Sequence, residues 1–171
     1  GNYSYVRFDR EVDVAPVLGS RSTNVTVGLG GYKGRALKAG DTLGFAGAGR
    51  PEPAADAVPG EGAIRVIWGL HADLFDPALR ERFTRSAFRV TASLDRMGVR
   101  LDDPDGLFRE QRRLGLVSDA IVPGDIQILG DGAPIVLMRD HQPTGGYPRI
   151  ATIVTADLDR FAQLRPGTEI C

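Results

Sequence analysis

Three short stretches carry side chains able to do chemistry. The densest runs from Asp140 to Arg149, where Asp140, His141, Gln142, Thr144, Gly145, Gly146, Tyr147 and Arg149 crowd into ten positions. A carboxylate and an imidazole can exchange protons, and an amide can orient a polar ligand through paired donor and acceptor. Two adjacent glycines let the backbone approach a ligand closely. The second stretch is Asp95-Arg96-Met97-Gly98, a charged pair before a glycine. The third is Ser20-Arg21-Ser22-Thr23, whose hydroxyls and guanidinium could hold an anion or a carboxylate. Each has a plain structural counterpart. Polar loops after strands commonly bind only water. Asp95 and Arg96 can form a local ion pair, and Ser and Thr hydroxyls can satisfy turn backbone.

The elements around these stretches read as short strands and turns. Val122–Leu129 and Pro134–Met138 flank Gly130-Asp131-Gly132, a hairpin pattern that delivers the chain into the polar loop. Gln127 lies within the first arm, where its amide either faces a ligand or caps a strand edge. Tyr3–Phe8, Ile64–Trp68, Phe88–Thr91 and Val99–Leu101 have strand composition. Asp76-Pro77 opens a helix that ends near Ser86. Thr155–Leu164 forms a second, with Leu158, Phe161 and Leu164 on its buried side and Pro166-Gly167 stopping it. Residues 102–115 read as an exposed loop with a helical turn near Phe108. Residues 46–62 are Ala, Gly, Pro and acidic residues and form the best linker candidate. Strands do not alternate regularly with helices, so a doubly wound sheet is disfavoured and a mostly antiparallel barrel or sandwich is expected.

Composition narrows the function classes. A formal net charge of −1 argues against a dedicated nucleic-acid binder. The single cysteine, Cys171, allows neither an intramolecular disulfide nor a thiolate cluster. No apolar run nears the roughly 20 residues that span a bilayer, and no secretory leader is visible. A soluble cytoplasmic protein without a membrane partner is expected. His71, Asp73 and Asp76 lack a second nearby histidine, so no metal site is expected. The glycines at 28, 30, 31 and 34 miss the Gly-Lys-Ser/Thr ending of a phosphate loop and read as structural.

Gly19–Thr23, Gly30-Gly31-Tyr32-Lys33-Gly34-Arg35, Asp95-Arg96-Met97-Gly98, Pro123-Gly124, Ile126-Gln127, Pro134–Leu137, Thr144–Pro148 and Ala162–Gly167 together resemble the allophanate hydrolase subunit 2 family. It is also called the KipA or biotin-dependent carboxyltransferase family and includes the C subunit of 5-oxoprolinase. The resemblance covers nearly the whole chain. It departs from the family pattern at Leu94, Val99, Asp125, His141 and Pro143, beside the pocket it implies. Family members are about twice as long. Residues 1–58 therefore resemble the tail of a first β-subdomain plus linker, and 59–171 a whole second subdomain.

The resemblance implies a mainly β fold: a cyclophilin-like β-barrel with two short helices. It also implies three activities. The first is a subunit that hydrolyses a small amide or lactam with a KipI-like subunit 1 partner, using ATP in the 5-oxoprolinase case. The second is a carboxyltransferase domain that moves CO2 from carboxybiotin to urea. The third is a KipA-like regulator without catalysis. The enzymatic readings need donors on a carbonyl oxygen and stabilisation of developing negative charge. Gly145 and Gly146 are candidates for a backbone nest, Arg21 or Arg96 for a carboxylate, and Asp95, Asp140 or His141 for proton exchange. Gln127 and Gln142 would orient an amide, Thr144 would bind beside them, and Tyr147 would be a wall. The turn at 95 and the turn at 145 are expected to meet in one pocket.

Overall fold

The alternating run Asp125-Ile126-Gln127-Ile128 sends two side chains to each face of a strand, and the whole architecture follows from that division. The computed structural model describes residues 2–6, 8–47, 62–111 and 115–171. The linker expected over 46–62 and the boundary near residue 58 fall largely outside them. The chain divides into two compact units, Tyr5–Asp56 and Gly1–Ser4 with Ala57–Cys171.

The larger unit is built on seven antiparallel strands. They are β5 (Val66–Trp68), β6 (Phe88–Leu94), β7 (Gly98–Asp102), β9 (Asp125–Ile128), β10 (Pro134–Leu137), β12 (Arg149–Ile153) and β13 (Glu169–Ile170). Their order is β13-β6-β7-β10-β9-β12-β5. The sheet curls into a half-barrel, and near its two edges the Ile64 N–H donates to the Cys171 carbonyl at 3.2 Å. A two-residue ribbon, β8 (Asp119–Ala120) with β11 (Thr144–Gly145), stands apart from it. The β9–β10 hairpin forms as its turn residues predict: the Leu129 N–H donates to the Ala133 carbonyl, and Asp131 Oδ1 accepts from the Ala133 N–H, each at 3.0 Å.

Helices α1 (Pro77–Phe83) and α2 (Thr155–Ala162) are the two anticipated. Asp76 caps α1 by accepting from the Ala78 N–H at 2.8 Å, and Pro77 takes the first helical position. In α2, Leu158 and Phe161 are buried and Asp157 accepts from Arg65 Nε and the Arg65 backbone N–H at 3.0 and 2.8 Å. That guanidinium holds the Asp157 carboxyl well below the usual carboxylate range.

One face of the sheet holds the core. Val99, Val136, Ile126 and Ala151 form a continuous row across four strands, each residue paired with the next, and Phe83, Phe88, Phe108 and Phe161 pack on that side. Two sequence expectations fail here. Residues 102–115 contain the predicted turn, a 3-10 helix at Arg109–Gln111, but they are not simply exposed: Leu107 and Phe108 are 5 % and 0 % exposed. Phe108 stacks on Phe88 with ring centroids 6.3 Å apart. Weak periodicity hid this, because the loop buries a local pair rather than a stripe. The described residues of Tyr3–Phe8 form no strand; the Tyr3 N–H donates instead to Gln163 Oε1, and Tyr5 and Val6 are exposed.

The described residues of the unit Tyr5–Asp56 form four two-residue strands, β1 (Glu11–Val12) with β4 (Phe45–Ala46) and β2 (Thr23–Asn24) with β3 (Leu29–Gly30). Among its described residues only Gly34 is fully buried.

Candidate functional site

On β9 and β12 the face opposite the core carries polar side chains, and there it too is largely buried. Direct cross-strand partners share a face, so Asp125 of β9 accompanies Thr152 of β12, and Gln127 accompanies Arg149. Simple alternation along β12 would put Arg149 on the side of Ala151 and Ile153, in the core. The register shifts between Arg149 and Ala151, and that bulge turns Arg149 to the Gln127 side, as bulges re-aim side chains elsewhere. Asp125, Gln127 and Arg149 are 2 %, 4 % and 8 % exposed.

Arg149 organises this face. Its Nη1 donates to the Ala120 carbonyl at 2.8 Å and to Asp125 Oδ2 at 3.3 Å, and its Nη2 donates to Asp119 Oδ2 at 2.9 Å. Asp125 also accepts from the Thr152 hydroxyl at 2.6 Å and from the Val122 N–H at 3.0 Å. The Arg149 backbone is fixed as well: His71 donates its N–H to the Arg149 carbonyl and accepts the Arg149 N–H at Nδ1. The guanidinium thus ties the β8–β11 ribbon to the sheet, with Gly145 of the ribbon above Gln127. A Cβ built on Gly145 would stand 2.6 Å from Gln127 Nε2, so glycine lets the ribbon sit this close with the Gln127 amide in place. Gly146 contacts Leu116 and Ser118 instead and accepts the Leu116 N–H at its carbonyl. Neither glycine has a left-handed φ. They supply a backbone free of side chain rather than the alternating-handed nest expected from their pairing.

The turn at residue 95 takes a different place. Asp95 Oδ1 accepts from the Met97 and Gly98 N–H groups at 2.7 and 3.1 Å, closing the β6–β7 turn. Arg96 pairs not with Asp95 but with Asp140: Nε and Nη2 donate to its two carboxylate oxygens at 2.7 and 2.8 Å. The Asp140 N–H donates to the Arg96 carbonyl at 2.7 Å. The Arg96 guanidinium holds the Asp140 carboxyl below its ordinary value. Asp140 is therefore an anion with both oxygens engaged, which suits anchoring more than proton transfer. His141 Nδ1 lies against the Gln142 carbonyl, and Gln142 and Thr144 are exposed. Tyr147 is half-exposed, with its ring beside Gly130 at the far end of the β9–β10 hairpin. The expected convergence is thus partial. The turn at 95 meets the beginning of the 139–147 loop, whereas Gly145 lies over β9 with Gln127 and Ile121 as its neighbours.

Ser20, Arg21, Ser22 and Thr23 belong to the other unit. Ser20 Oγ lies 2.8 Å from Ser22 Oγ and accepts from the Ser22 N–H at 3.1 Å, while Arg21 pairs with Glu11 at 3.4 Å and donates to the Val14 carbonyl. A cavity of about 360 Å³ there is lined by Glu11, Arg21, Thr23, Tyr32 and apolar side chains. In the larger unit, a cavity of about 150 Å³ on the core face is lined mostly by apolar groups and includes none of the sequence-predicted site residues. Among the described residues no cluster of three or more His, Cys, Asp or Glu is placed to hold a metal. No described helix is long and apolar enough to cross a membrane.

Sequence reasoning singled out Gln127 but gave no role to Arg149, Asp119 or Thr152. The one available signal was an arginine inside an otherwise apolar strand. Its meaning depends on a bulge that no local pattern announces.

The family model for the carboxyltransferase domain, subdomain A and B, matches residues 1–171. The chain is 37 % identical over 178 residues to the C subunit of 5-oxoprolinase from Escherichia coli (strain K12), covering 99 % of this chain and 55 % of that protein. It thus spans about half the length of that relative. It is 30 % identical over 199 residues to urea amidolyase of Lachancea kluyveri, covering 99 % of this chain and 11 % of that one. The crystal structure of Kluyveromyces lactis urea carboxylase superposes with a TM-score of 0.79 at 29 % identity, covering 95 % of this chain and 16 % of that one.

Proposed function

The chain belongs to the carboxyltransferase domain family, subdomain A and B, and on that premise we propose that it is part of a subunit acting on a small amide or lactam within a hetero-oligomeric complex. The observation that carries this reading is the 37 % identity to the C subunit of a 5-oxoprolinase across 99 % of the chain. The buried amide of Gln127 supports it, because a donor in a low-dielectric site interacts strongly with a carbonyl oxygen. In this reading Gln127 orients the carbonyl. Gly145 gives it clearance, Arg149 sets the ribbon's height, and the Arg96–Asp140 pair anchors the start of the loop.

The partner is a KipI-like subunit 1, and ATP enters with the complex. The glycine-rich segment here does not fit a nucleotide: a Cβ on Gly34 would stand 2.0 Å from the Gly28 carbonyl oxygen, so Gly34 serves a close chain crossing rather than a phosphate cradle. We therefore place no ATP step on this chain. A second reading, a carboxyltransferase domain of a urea carboxylase-like enzyme, is favoured by the structural likeness at a TM-score of 0.79. Biotin would then be the carrier, and its ureido carbonyl is an acceptor of the kind the Gln127 amide would hold.

The test is reconstitution of the parent protein with its subunit 1 partner, assayed on 5-oxoproline, allophanate and urea, each with and without ATP. ATP-dependent loss of 5-oxoproline supports the first reading. Turnover of urea only with carboxybiotin supports the second. Tight partner binding with no turnover of any substrate would overturn both and mark a KipA-like regulator.

A further inference from the structure

Two buried nitrogens on the polar face have no hydrogen-bond partner among the described residues, Gln127 Nε2 and Arg149 Nε. They belong to directly paired residues of adjacent strands. Both are donors and neither can accept. The Gln127 nitrogen faces the Gly145 backbone, with the Ile121 Cδ1 and Cγ2 methyls 3.2 and 3.5 Å from where a Gly145 Cβ would stand. Native proteins rarely leave a donor against hydrocarbon, because desolvating it without a partner is costly. The other guanidinium nitrogens of Arg149 are engaged on Ala120, Asp125 and Asp119. Two of those contacts hold a ribbon only two residue pairs long, with Asp119, Ala120 and Thr144 exposed on its outer side.

We propose that this donor pair is a subsite for one oxygen of an acyl group, an amide or lactam carbonyl or a carboxylate, admitted under the β8–β11 ribbon. An oxygen acceptor would give these nitrogens the partner they lack, and glycine at 145 leaves the Gln127 amide free of a crowding side chain. The choice of acyl probes rests on the function proposed above; the unpartnered donors do not.

The experiment uses the full chain and two readouts, thermal unfolding and calorimetric titration with 5-oxoproline, urea and proline. Wild type binds 5-oxoproline. Urea without proline identifies the carbonyl as the bound group, and proline without urea identifies the carboxylate. Gln127→Met is close in shape and has no polar atoms to leave unpaired, so it melts at the wild-type temperature or about 2–4 °C higher. Its affinity for 5-oxoproline falls at least tenfold. Gly145→Ala gives a similar loss, because its Cβ occupies the ligand's space while the flexible end of Gln127 can shift aside. A Gln127→Met protein melting several degrees lower overturns the proposal. It would mean the amide is bonded internally, as in an orientation whose Oε1 accepts from Arg149 Nε–H. Unchanged affinity in Gln127→Met, or no binding of any probe by wild type, overturns it equally. A complex that fails to hydrolyse 5-oxoproline leaves the melting result standing, so the two readings fail separately.

Discussion

Two arginines flank the loop from 139 to 147, and they are held in opposite ways. Arg96 is about half exposed and meets both oxygens of Asp140 in a bidentate pair. Arg149 is buried, shares its guanidinium among Ala120, Asp125 and Asp119, and has no partner for Nε among the described residues. An exposed, fully matched pair is screened by water and fixes a loop at little net gain. A buried cation must recover its desolvation cost through its partners, and one donor of Arg149 finds none among the described residues. From the sequence alone Arg96 looked the more chemical of the two, beside an aspartate and a glycine. The fold sets Arg149, and not Arg96, directly across from the buried Gln127.

The contrast can be broken at three points, taken from the largest effect to the smallest. Arg149→Ala leaves Asp125 buried without its cation and should cost about 3–5 kcal/mol in urea unfolding, with the ribbon released from the sheet. A cost below about 1 kcal/mol would mean that water compensates the aspartate and that Arg149 is not the organiser. Asp95→Ala removes the acceptor of two turn N–H groups and should cost about 1 kcal/mol, without changing the affinity of the complex for its partner. Arg96→Ala should cost under about 1 kcal/mol and less at high salt.

The Arg96 effect should also depend on pH in a defined direction. Asp140 has a folded pKa below its ordinary value because of Arg96. The unfolded chain therefore binds more protons in the interval between the two values. The stabilisation is fully present above about pH 4 and is lost as pH falls through the depressed value. Wild type and Arg96→Ala should then differ most at neutral pH and converge in acid, as followed by denaturant midpoints. A gap that widens in acid would contradict the pairing.

Much of the fold was legible in the residues. Asp76-Pro77 announced α1, Pro166-Gly167 bounded α2, and Gly130-Asp131-Gly132 marked the hairpin, each through local backbone chemistry. The family resemblance was carried by segments spread over both units. Tyr3–Phe8 misled because strand composition says nothing about an available partner strand, and Phe108 because burial was decided by tertiary packing rather than periodicity. At the candidate site, Gln127 was visible as an amide within an apolar strand. Arg149 was visible only as the end of the polar 140–149 stretch, since its role depends on the bulge at the start of β12 and on a ribbon formed between residues 119–120 and 144–145. The Asp140 pairing was hidden for the same reason: its partner lies 44 residues away in sequence.

The most direct measurement is kcat/KM for 5-oxoproline in the reconstituted complex, comparing Gln127→Met with Arg96→Met. The buried polar face as the substrate-facing surface predicts a loss of at least about tenfold for Gln127→Met, about 1.4 kcal/mol of transition-state stabilisation, against a change of about twofold or less for Arg96→Met. A large loss at Arg96 with full activity at Gln127 would contradict it and return the chemistry to the exposed end of the loop.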